Sequence, residues 1–359
     1  MKYIDEYRKK DLILSVAEKL RTISKKEIII MEVCGGHTMA IHRFGLNSLL
    51  PPTVHLVSGP GCPVCVSSQH FIDTALAYSR ISGVIVTTYG DLIRVPGSST
   101  SLEKERAAGS DIRIVYSVLE SLEIARQTPG KKVIFLGIGF ETTAPATAAV
   151  IIKAKQEDIT NFFVLSAHKI MPPVMKALVK DGVKIDGFIA PGHVSAITGI
   201  SIYTELASVH GLGVVVSGFE PVDIMQAVLM LTAQIESATP RVEVQYQRVV
   251  NPEGNRIAQN VLKEVFDYRD DQWRGLGLIP KSGLRITDDY SSFDAEKQFT
   301  VEVPESTEPK GCICGQILRG LKTPVDCSLF AKKCTPSDPV GACMVSGEGT
   351  CATYYKYRP

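Results

Sequence analysis

Residues 27–37, EIIIMEVCGGH, join a continuous apolar run to a turn that carries a cysteine, two glycines and a histidine. A short uninterrupted apolar run is typical of a strand buried on both faces of a parallel sheet. Comparable runs alternate with helical stretches further along the chain, namely TVHLV, VIVTTY, DIRIVYSV, KKVIFLGIG, FFVLSA, IDGFIA and LGVVVSG. This alternation predicts an α/β fold with two wound parallel-sheet domains of similar topology.

The length of 359 residues allows two or three domains. The two α/β domains are predicted at 27–128 and 129–238. Residues 239–359 are predicted to form a third, cysteine-rich iron–sulfur domain, with one helix and irregular, turn-rich sequence around Trp273. Residues 1–26 form a predicted amphipathic helix that we expect to pack with the third domain, its apolar face made by Leu12, Val16, Leu20 and Ile23.

The composition excludes several classes of function. A net charge of +1 gives no electrostatic reason to expect a nucleic-acid partner or a membrane surface. The first residues are too charged for a signal peptide, and no apolar run approaches the length of a membrane span. We therefore expect a cytoplasmic protein. Because the cytoplasm keeps thiols reduced, the nine cysteines do not indicate a disulfide framework.

Unusual motifs follow the carboxyl ends of the predicted strands: CGGH, GPGCPVC, YGDLIRVPGS, GFETTAP, SAHK, PGHVS and SGFEP. Open α/β sheets bind their ligands at this edge, where rigid strands support the loops. We therefore expect the two domains to turn these edges toward a shared cleft.

Three cysteines lie near the front of the chain. Cys34 lies between a strand and a predicted helix start, which would favour a thiolate, a soft ligand suited to iron. The alternative is a small buried hydrophobe. Cys62 and Cys65 form a C-x-x-C pair whose spacing suits thiol–disulfide exchange. The alternatives for this pair are half of a zinc site or a structural role in the core.

Three further polar residues are candidates for the same cleft. His193, in APGHVS, could shuttle protons or hold an anion, and the alternative is a structural histidine. Asp91 could orient a group in the cleft or cap a turn. Glu348, between two glycines, presents a polar side chain beside the cysteines of the tail.

The tail carries six cysteines, at positions 312, 314, 327, 334, 343 and 351. They lack the paired spacing of a zinc ribbon, which favours an iron–sulfur cluster over tetrahedral zinc. Four thiolates suffice for a cubane cluster. Disulfides are the alternative, and the expected compartment disfavours them.

Taken together, the motifs CGGH, GPGCPVC, YGDLIRVPGS, GFETTAP, APGHVS and CTPSDPVGACMVSGEGTC resemble the HypD family of hydrogenase maturation proteins over nearly the whole chain. The resemblance implies two α/β domains and a third domain built around a [4Fe–4S] cluster. It also implies a scaffold for assembling the Fe(CN)2CO unit of [NiFe]-hydrogenase. Such a scaffold acts in complex with the small protein HypC and receives cyanide from HypE.

The resemblance also implies roles for individual residues. Cys34 resembles the thiolate that holds the iron together with a cysteine of HypC, and Cys62 and Cys65 resemble a redox-active pair. Cys314 and Cys343 are spare, although Cys314 could replace the first ligand of the cluster. The family's cluster spacing, C-x14-C-x6-C-x16-C, falls on Cys312, Cys327, Cys334 and Cys351.

In the mechanism that we expect, the cluster stores electrons, the Cys62–Cys65 pair relays them, and Cys34 presents iron with its transient CN and CO ligands. His193 and Glu348 then serve as proton or hydrogen-bond partners. The expected role is a maturation scaffold with a redox function rather than a conventional turnover enzyme. One alternative is an iron–sulfur thiol–disulfide reductase of the ferredoxin:thioredoxin reductase type. Another is a binding module whose metal is structural.

Overall fold

Two parallel β-sheets and an antiparallel hairpin form the framework of the protein. The computed structural model describes residues 2 and 5–357, so residues 1, 3 and 4 of the predicted N-terminal helix and residues 358 and 359 of the predicted third domain lie outside the described residues. The strands are β1 (Ile28–Glu32), β2 (Val54–Ser58), β3 (Val84–Thr88), β4 (Ile112–Ile114), β5 (Lys132–Gly139), β6 (Phe162–His168), β7 (Gly187–Pro191), β8 (Gly213–Ser217), β9 (Val242–Val244), β10 (Phe266–Trp273) and β11 (Gly277–Ile286).

Helices connect most of the strands and complete the tail. The α-helices are α1 (Lys10–Ile23), α2 (Gly35–Arg43), α3 (Pro63–Val66), α4 (Gln69–Ser79), α5 (Leu102–Ala107), α6 (Val118–Gln127), α7 (Ala144–Gln156), α8 (Met171–Lys180), α9 (Gly192–Thr198), α10 (Thr204–Ser208), α11 (Pro221–Glu236), α12 (Arg256–Val265), α13 (Ala295–Gln298), α14 (Cys314–Leu318) and α15 (Thr350–Lys356). Short 3-10 helices lie at Asp5–Arg8, Leu46–Leu49, Leu92–Arg94, Ser201–Tyr203, Asp288–Phe293, Pro324–Asp326 and Ala342–Met344. Within the described ranges, no helix is long and apolar enough to cross a bilayer.

The strand order confirms the α/β class with two wound parallel sheets. The first sheet has the order β2-β1-β7-β8-β9 and the second the order β4-β3-β5-β6. The strands do not, however, divide between the sheets at residue 128, as the sequence predicts, and β9 continues the first sheet beyond residue 238, where the sequence ends the second α/β domain. Residues 28–58 and 187–244 supply the first sheet, and residues 84–168 supply the second. The physical reason is that β1 is apolar on both faces and takes a central place between β2 and β7.

The N-terminal helix packs on the first sheet, which corrects the prediction that it packs with the third domain. Val16, Ala17 and Leu20 of α1 lie in an apolar cluster with β1, β7, β8 and α11. Within the described part of the chain, this cluster contains no residue beyond Ile235. Leu12 is 47% exposed, so the buried stripe of the helix begins one turn later than the sequence indicates.

The segment around Trp273 is more regular than its sequence suggests. Helix α12 confirms the one helix predicted there. The prediction of irregular structure around Trp273 is wrong, because β10 and β11 form a long antiparallel hairpin. The register of this hairpin shifts between Arg269 and Asp271. Most side chains of β10, FDYRDDQW, are solvent-accessible, so the strand lacks the apolar run that marks a buried strand.

The carboxyl ends of the parallel strands have rigid support. Every residue of β3, β6, β7 and β8 is buried. Each fully buried Val, Leu or Ile side chain contributes about 1.5–3 kcal/mol to the free energy of unfolding. The loops that follow these strands are therefore attached to the most stable part of the molecule.

Candidate metal and thiol site

Cys34, His193 and Glu348 line a single cavity of about 400 Å³. Cys34 is the residue before α2, His193 lies in the first turn of α9, and Glu348 precedes α15. Phe219 and Arg43 line the same cavity. Residues from both ends of the chain thus meet at the carboxyl edge of the first sheet. No residue of the segment 84–168 lines this cavity, so it is not a cleft shared by both sheets, as the sequence predicts.

Glycines allow the loops around Cys34 to approach very closely. A Cβ atom on Gly61 would lie 2.1 Å from the backbone nitrogen of Cys34. A Cβ atom on Gly35 would lie 2.6 Å from the Cβ atom of Glu348. Since such distances are far shorter than van der Waals contact, only glycine permits the GPGC loop and the GEG turn to pack on Cys34.

Substituting alanine for Gly61 should therefore destabilise the protein strongly. The added methyl group would collide with backbone atoms, which cannot rotate away as a side chain does, so we expect a loss of about 3 kcal/mol or more in the free energy of unfolding. Urea denaturation measures this change. Gly130→Ala is the matched control, because a Cβ atom on Gly130 meets nothing within 4 Å. Equal stability of the two variants would contradict the described packing.

Burial raises the pKa of the Cys34 thiol above its ordinary value, and the nearby Glu348 carboxylate raises it further. This corrects the expectation that the start of α2 favours a thiolate, because the cost of desolvating a charge exceeds the effect of two backbone N–H groups. Cys34 is consequently a protonated thiol in the metal-free protein. A metal ion that binds there has to displace the proton.

Glu32 is a residue of this site that sequence reasoning missed. It ends β1 and is only 1% exposed, and its Oε2 accepts a hydrogen bond of 3.0 Å from the backbone N–H of Cys34. Its other oxygen accepts the hydroxyl proton of Thr38. Burial raises the pKa of Glu32 to about 8. The sequence did contain a signal for this role, because Glu32 is an acidic residue at the end of the apolar run IIIME.

Two histidines pack against the ring of Phe219. The ring centroids of His37 and His193 lie 4.7 and 5.1 Å from that of Phe219. Nε2 of His37 donates to the carbonyl oxygen of Gly218 at 3.0 Å, while its Nδ1 is buried with no hydrogen-bond partner. Burial lowers the pKa of each histidine to about 4, so both rings are neutral at neutral pH.

Asp91 does not line the cavity of Cys34. Its Oδ2 accepts a hydrogen bond of 2.7 Å from the hydroxyl of Ser346. Arg94, in the same loop, donates to the carbonyl oxygens of Pro336 and Val345. The YGDLIRVPGS motif therefore holds the tail segment that leads to Glu348. Burial is the main cause that raises the pKa of Glu348, and the Asp91 carboxylate raises it further.

The C-x-x-C pair is buried beside Cys34 but outside its cavity. Cys62 precedes α3, and the backbone N–H of Cys65 donates to the Sγ atom of Cys62 at 3.3 Å. Both side chains belong to the largest apolar cluster, and Cys65 is fully buried. External thiols therefore cannot reach the sulfur of Cys65 without movement of the loop.

Five tail cysteines line a second, narrow cavity: Cys312, Cys314, Cys327, Cys334 and Cys351. The Sγ atoms of Cys312 and Cys314 are 3.2 Å apart. The other lining residues are apolar side chains and a glycine, so sulfur is the donor type that the side chains offer there. The described residues contain no group of three or more His, Cys, Asp or Glu arranged around a single metal ion.

Cys343 connects the two sets of cysteines. Hydrogen bonds from the thiols of Cys314, Cys351 and Cys65 lower its pKa well below the ordinary value. It is fully buried and does not line the narrow cavity. Cys343, to which the sequence analysis gives no role in the cluster, therefore lies between the C-x-x-C pair and the tail cysteines.

A buried guanidinium group faces the same region. Arg274 is 3% exposed, and it donates to the carbonyl oxygen of Ser67 and to Oε1 of Gln69, both at 2.8 Å. Its Nη2 has no hydrogen-bond partner. Burial lowers the pKa of Arg274, whereas Cys314 and other nearby thiols raise it. A buried cation with an unsatisfied donor suits a negatively charged sulfur group, so these residues fit an iron–sulfur cluster.

Comparisons with known proteins agree with this geometry. The family model described as "HypD: Hydrogenase formation hypA family" matches residues 10–358. The chain belongs to the HypD family. A putative hydrogenase expression/formation protein of Methanocaldococcus jannaschii is 46% identical over 351 residues, which cover 97% of each chain. The hydrogenase maturation factor HypD of Cupriavidus necator is 45% identical over 368 residues, covering 99% of this chain and 97% of its own.

A third relative, the hydrogenase maturation factor HypD2 of Bradyrhizobium diazoefficiens, is 45% identical over 368 residues and covers the same shares. Because the similarity extends over the whole HypD chain, both the sheets and the cysteine-rich tail belong to the family. The sequence-based identification of the HypD family is therefore confirmed.

Proposed function

We propose that this chain is the scaffold on which the Fe(CN)2CO unit of [NiFe]-hydrogenase is assembled. The observation that carries the proposal is the meeting of Cys34, His193 and Glu348 at one cavity, beside a row of buried cysteines. Cys34 can offer one soft thiolate ligand to a metal, and the imidazole of His193 and the carboxyl group of Glu348 can form hydrogen bonds to the other ligands of that metal.

Iron is the substrate of this cavity. Cys34 contributes one thiolate, and an open cavity of about 400 Å³ leaves room for small ligands and for a thiol from a partner. We propose that HypC is this partner and that HypE delivers the cyanide. Since neither Cys34 nor His193 can form a complete coordination shell alone, the site requires a second protein to hold the metal firmly.

His193 and Glu348 are proposed to exchange protons and hydrogen bonds with the ligands of the iron. Burial raises the pKa of Glu348, so this carboxyl group holds a proton more readily than an exposed one. A neutral imidazole at position 193 offers one donor and one acceptor at neutral pH.

A [4Fe–4S] cluster held by Cys312, Cys327, Cys334 and Cys351 would supply single electrons when bound. Cys314 and Cys343 are then available for thiol chemistry. We propose that the Cys343 thiolate attacks a Cys62–Cys65 disulfide at Cys65, so that the Cys343–Cys65 bond forms and Cys62 leaves as a thiolate that takes up a proton. Cys314 then loses its proton and attacks Cys343, so that the Cys314–Cys343 bond forms and Cys65 leaves as a thiolate that takes up that proton. This exchange reduces the first pair and oxidises the second.

The second candidate is a thiol–disulfide reductase of the ferredoxin:thioredoxin reductase type. The contact between Cys65 and Cys343 favours it, because it places one dithiol pair against another. The burial of Cys65 and Cys343 argues against a reductase, since a protein substrate would need an exposed sulfur.

Infrared spectroscopy of the chain purified together with HypC distinguishes these functions. The scaffold predicts stretching bands of cyanide and carbon monoxide bound to iron in the purified complex. The reductase predicts no such bands and catalytic reduction of a protein disulfide. A complex from hydrogenase-producing cells that supports maturation but lacks both bands would contradict the proposal.

A further inference from the structure

A separate cavity of about 510 Å³ lies where the two sheets meet the antiparallel hairpin. Its walls come from the loop after β5, from α8 and α9, and from α12, β10 and β11. It has no lining residue in common with the cavity of Cys34. Cavities of this size at the junctions of structural units commonly bind small molecules.

Glu141 of the GFETTAP motif lines this cavity, and one oxygen of its carboxyl group is unsatisfied. The residue is 4% exposed, and its Oε1 accepts a hydrogen bond of 3.0 Å from the backbone N–H of Met171. Its Oε2 is buried without any hydrogen-bond partner. Buried carboxyl oxygens are almost always paired, so this atom indicates a ligand group that donates a hydrogen bond. Burial also raises the pKa of Glu141 to about 7.

The start of α7 does not account for Glu141. Thr143 precedes α7, but its hydroxyl makes no capping bond and instead donates to the carbonyl oxygens of Ile138 and Phe140. The carboxyl group of Glu141 takes no part in this arrangement. Its Oε1 instead satisfies the backbone N–H of Met171, the first residue of α8, and only its Oε2 is left without a partner.

Positive charge dominates the rest of the cavity wall. Lys176, Lys263 and Lys281 line it, and Glu141 is the one acidic residue among its described lining residues. Lys176 forms an ion pair with Glu205, which offsets part of its charge. The remaining field favours an anionic group on a bound molecule.

We propose that this cavity binds a small organic anion that also carries an N–H or O–H donor. The donor meets Oε2 of Glu141, and a carboxylate or phosphate group at the other end meets the lysines. Apolar contacts with Ile170 and Ile197 surround the body of the ligand.

Three probes of matched shape test the proposed recognition by isothermal titration calorimetry of the intact protein. The first is 4-carbamoylbenzoate, which has both the donor and the anion. The second is 4-acetylbenzoate, which lacks the N–H donor, and the third is terephthalamide, which lacks the anion. A hydrogen bond to a charged group contributes enough to change affinity roughly 10- to 100-fold, so we expect the first probe to bind at least about 10-fold more tightly than either analogue.

Variants assign the binding to this cavity. Glu141→Gln keeps an oxygen for the N–H of Met171 but replaces the acceptor by a donor, so affinity for 4-carbamoylbenzoate should fall about 10-fold or more. Lys263→Gln should weaken binding of this probe and of 4-acetylbenzoate alike. Lys19→Gln is the control, because Lys19 is exposed on helix α1 and lines none of these cavities. Thermal melting checks that each variant is folded.

The proposal fails on any of three results. One is the absence of saturable binding of 4-carbamoylbenzoate up to about 10 mM, a concentration that would detect even millimolar dissociation constants. Another is equal affinity for the three probes. The last is unchanged affinity in folded Glu141→Gln and Lys263→Gln protein.

Discussion

The Cys34→Ser variant is expected to lose the iron-bound cyanide and carbon monoxide bands and to support no measurable hydrogenase maturation. Even the loss of a residue that only orients a metal ligand costs about 10- to 100-fold in metal affinity, so the loss of the ligand itself should cost more. Serine cannot compensate, because its hydroxyl is a harder and far less acidic ligand than a thiol. Infrared spectra and hydrogenase activity in a strain that lacks its own HypD measure the two effects.

Met39→Leu is the matched control for this variant. Met39 lines the same cavity, and the exchange keeps an apolar side chain of similar size without touching the proposed ligand. The control should therefore retain both bands and most of the activity. Retention of the bands by Cys34→Ser would show that Cys34 does not hold the iron.

The Cys343→Ser variant is expected to trap the Cys62–Cys65 disulfide. Cys343 is the thiol in contact with Cys65, so it is placed to attack this sulfur. Because Cys65 is fully buried, external thiols cannot replace this neighbour, and disulfide exchange should slow roughly 100-fold or more. Peptide mapping by mass spectrometry after mild oxidation follows the Cys314–Cys343 linkage that wild type should form.

Met344→Leu is the control for Cys343→Ser. It changes the adjacent buried residue and leaves every cysteine in place. Its exchange rate should match that of the wild type. If Cys343→Ser protein reduced its Cys62–Cys65 bond at the wild-type rate, electrons would reach this pair by another route.

Sequence patterns predicted eight of the nine described parallel strands, all but β9, and the edge of the sheets at which the chemistry is placed. They could not predict which sheet each strand joins. Strands such as β1 and β3 are equally short and apolar, so the local pattern determines their burial but not their neighbours. Pairing of β1 with β7 depends on contacts between distant parts of the chain, and this is why the predicted limit at residue 128 does not separate the sheets.

Some residues of the site could likewise be predicted from the sequence, and others could not. Cys34, His193 and Glu348 stand out as reactive types beside glycines, and the structure brings all three to one cavity. Glu32 and Cys343 were missed because their importance lies in their contacts. The first supports the backbone of Cys34, and the second touches Cys65, and no spacing in the sequence reports either contact.

Anomalous diffraction at the iron absorption edge, from crystals of the iron-loaded complex with HypC, tests the central claim most directly. The account predicts two separate iron positions. One lies among the tail cysteines, and the other lies within bonding distance of the Sγ atom of Cys34, in the cavity shared with His193 and Glu348. A map with iron at the tail alone, or with the second iron at Cys62 and Cys65, would contradict the account.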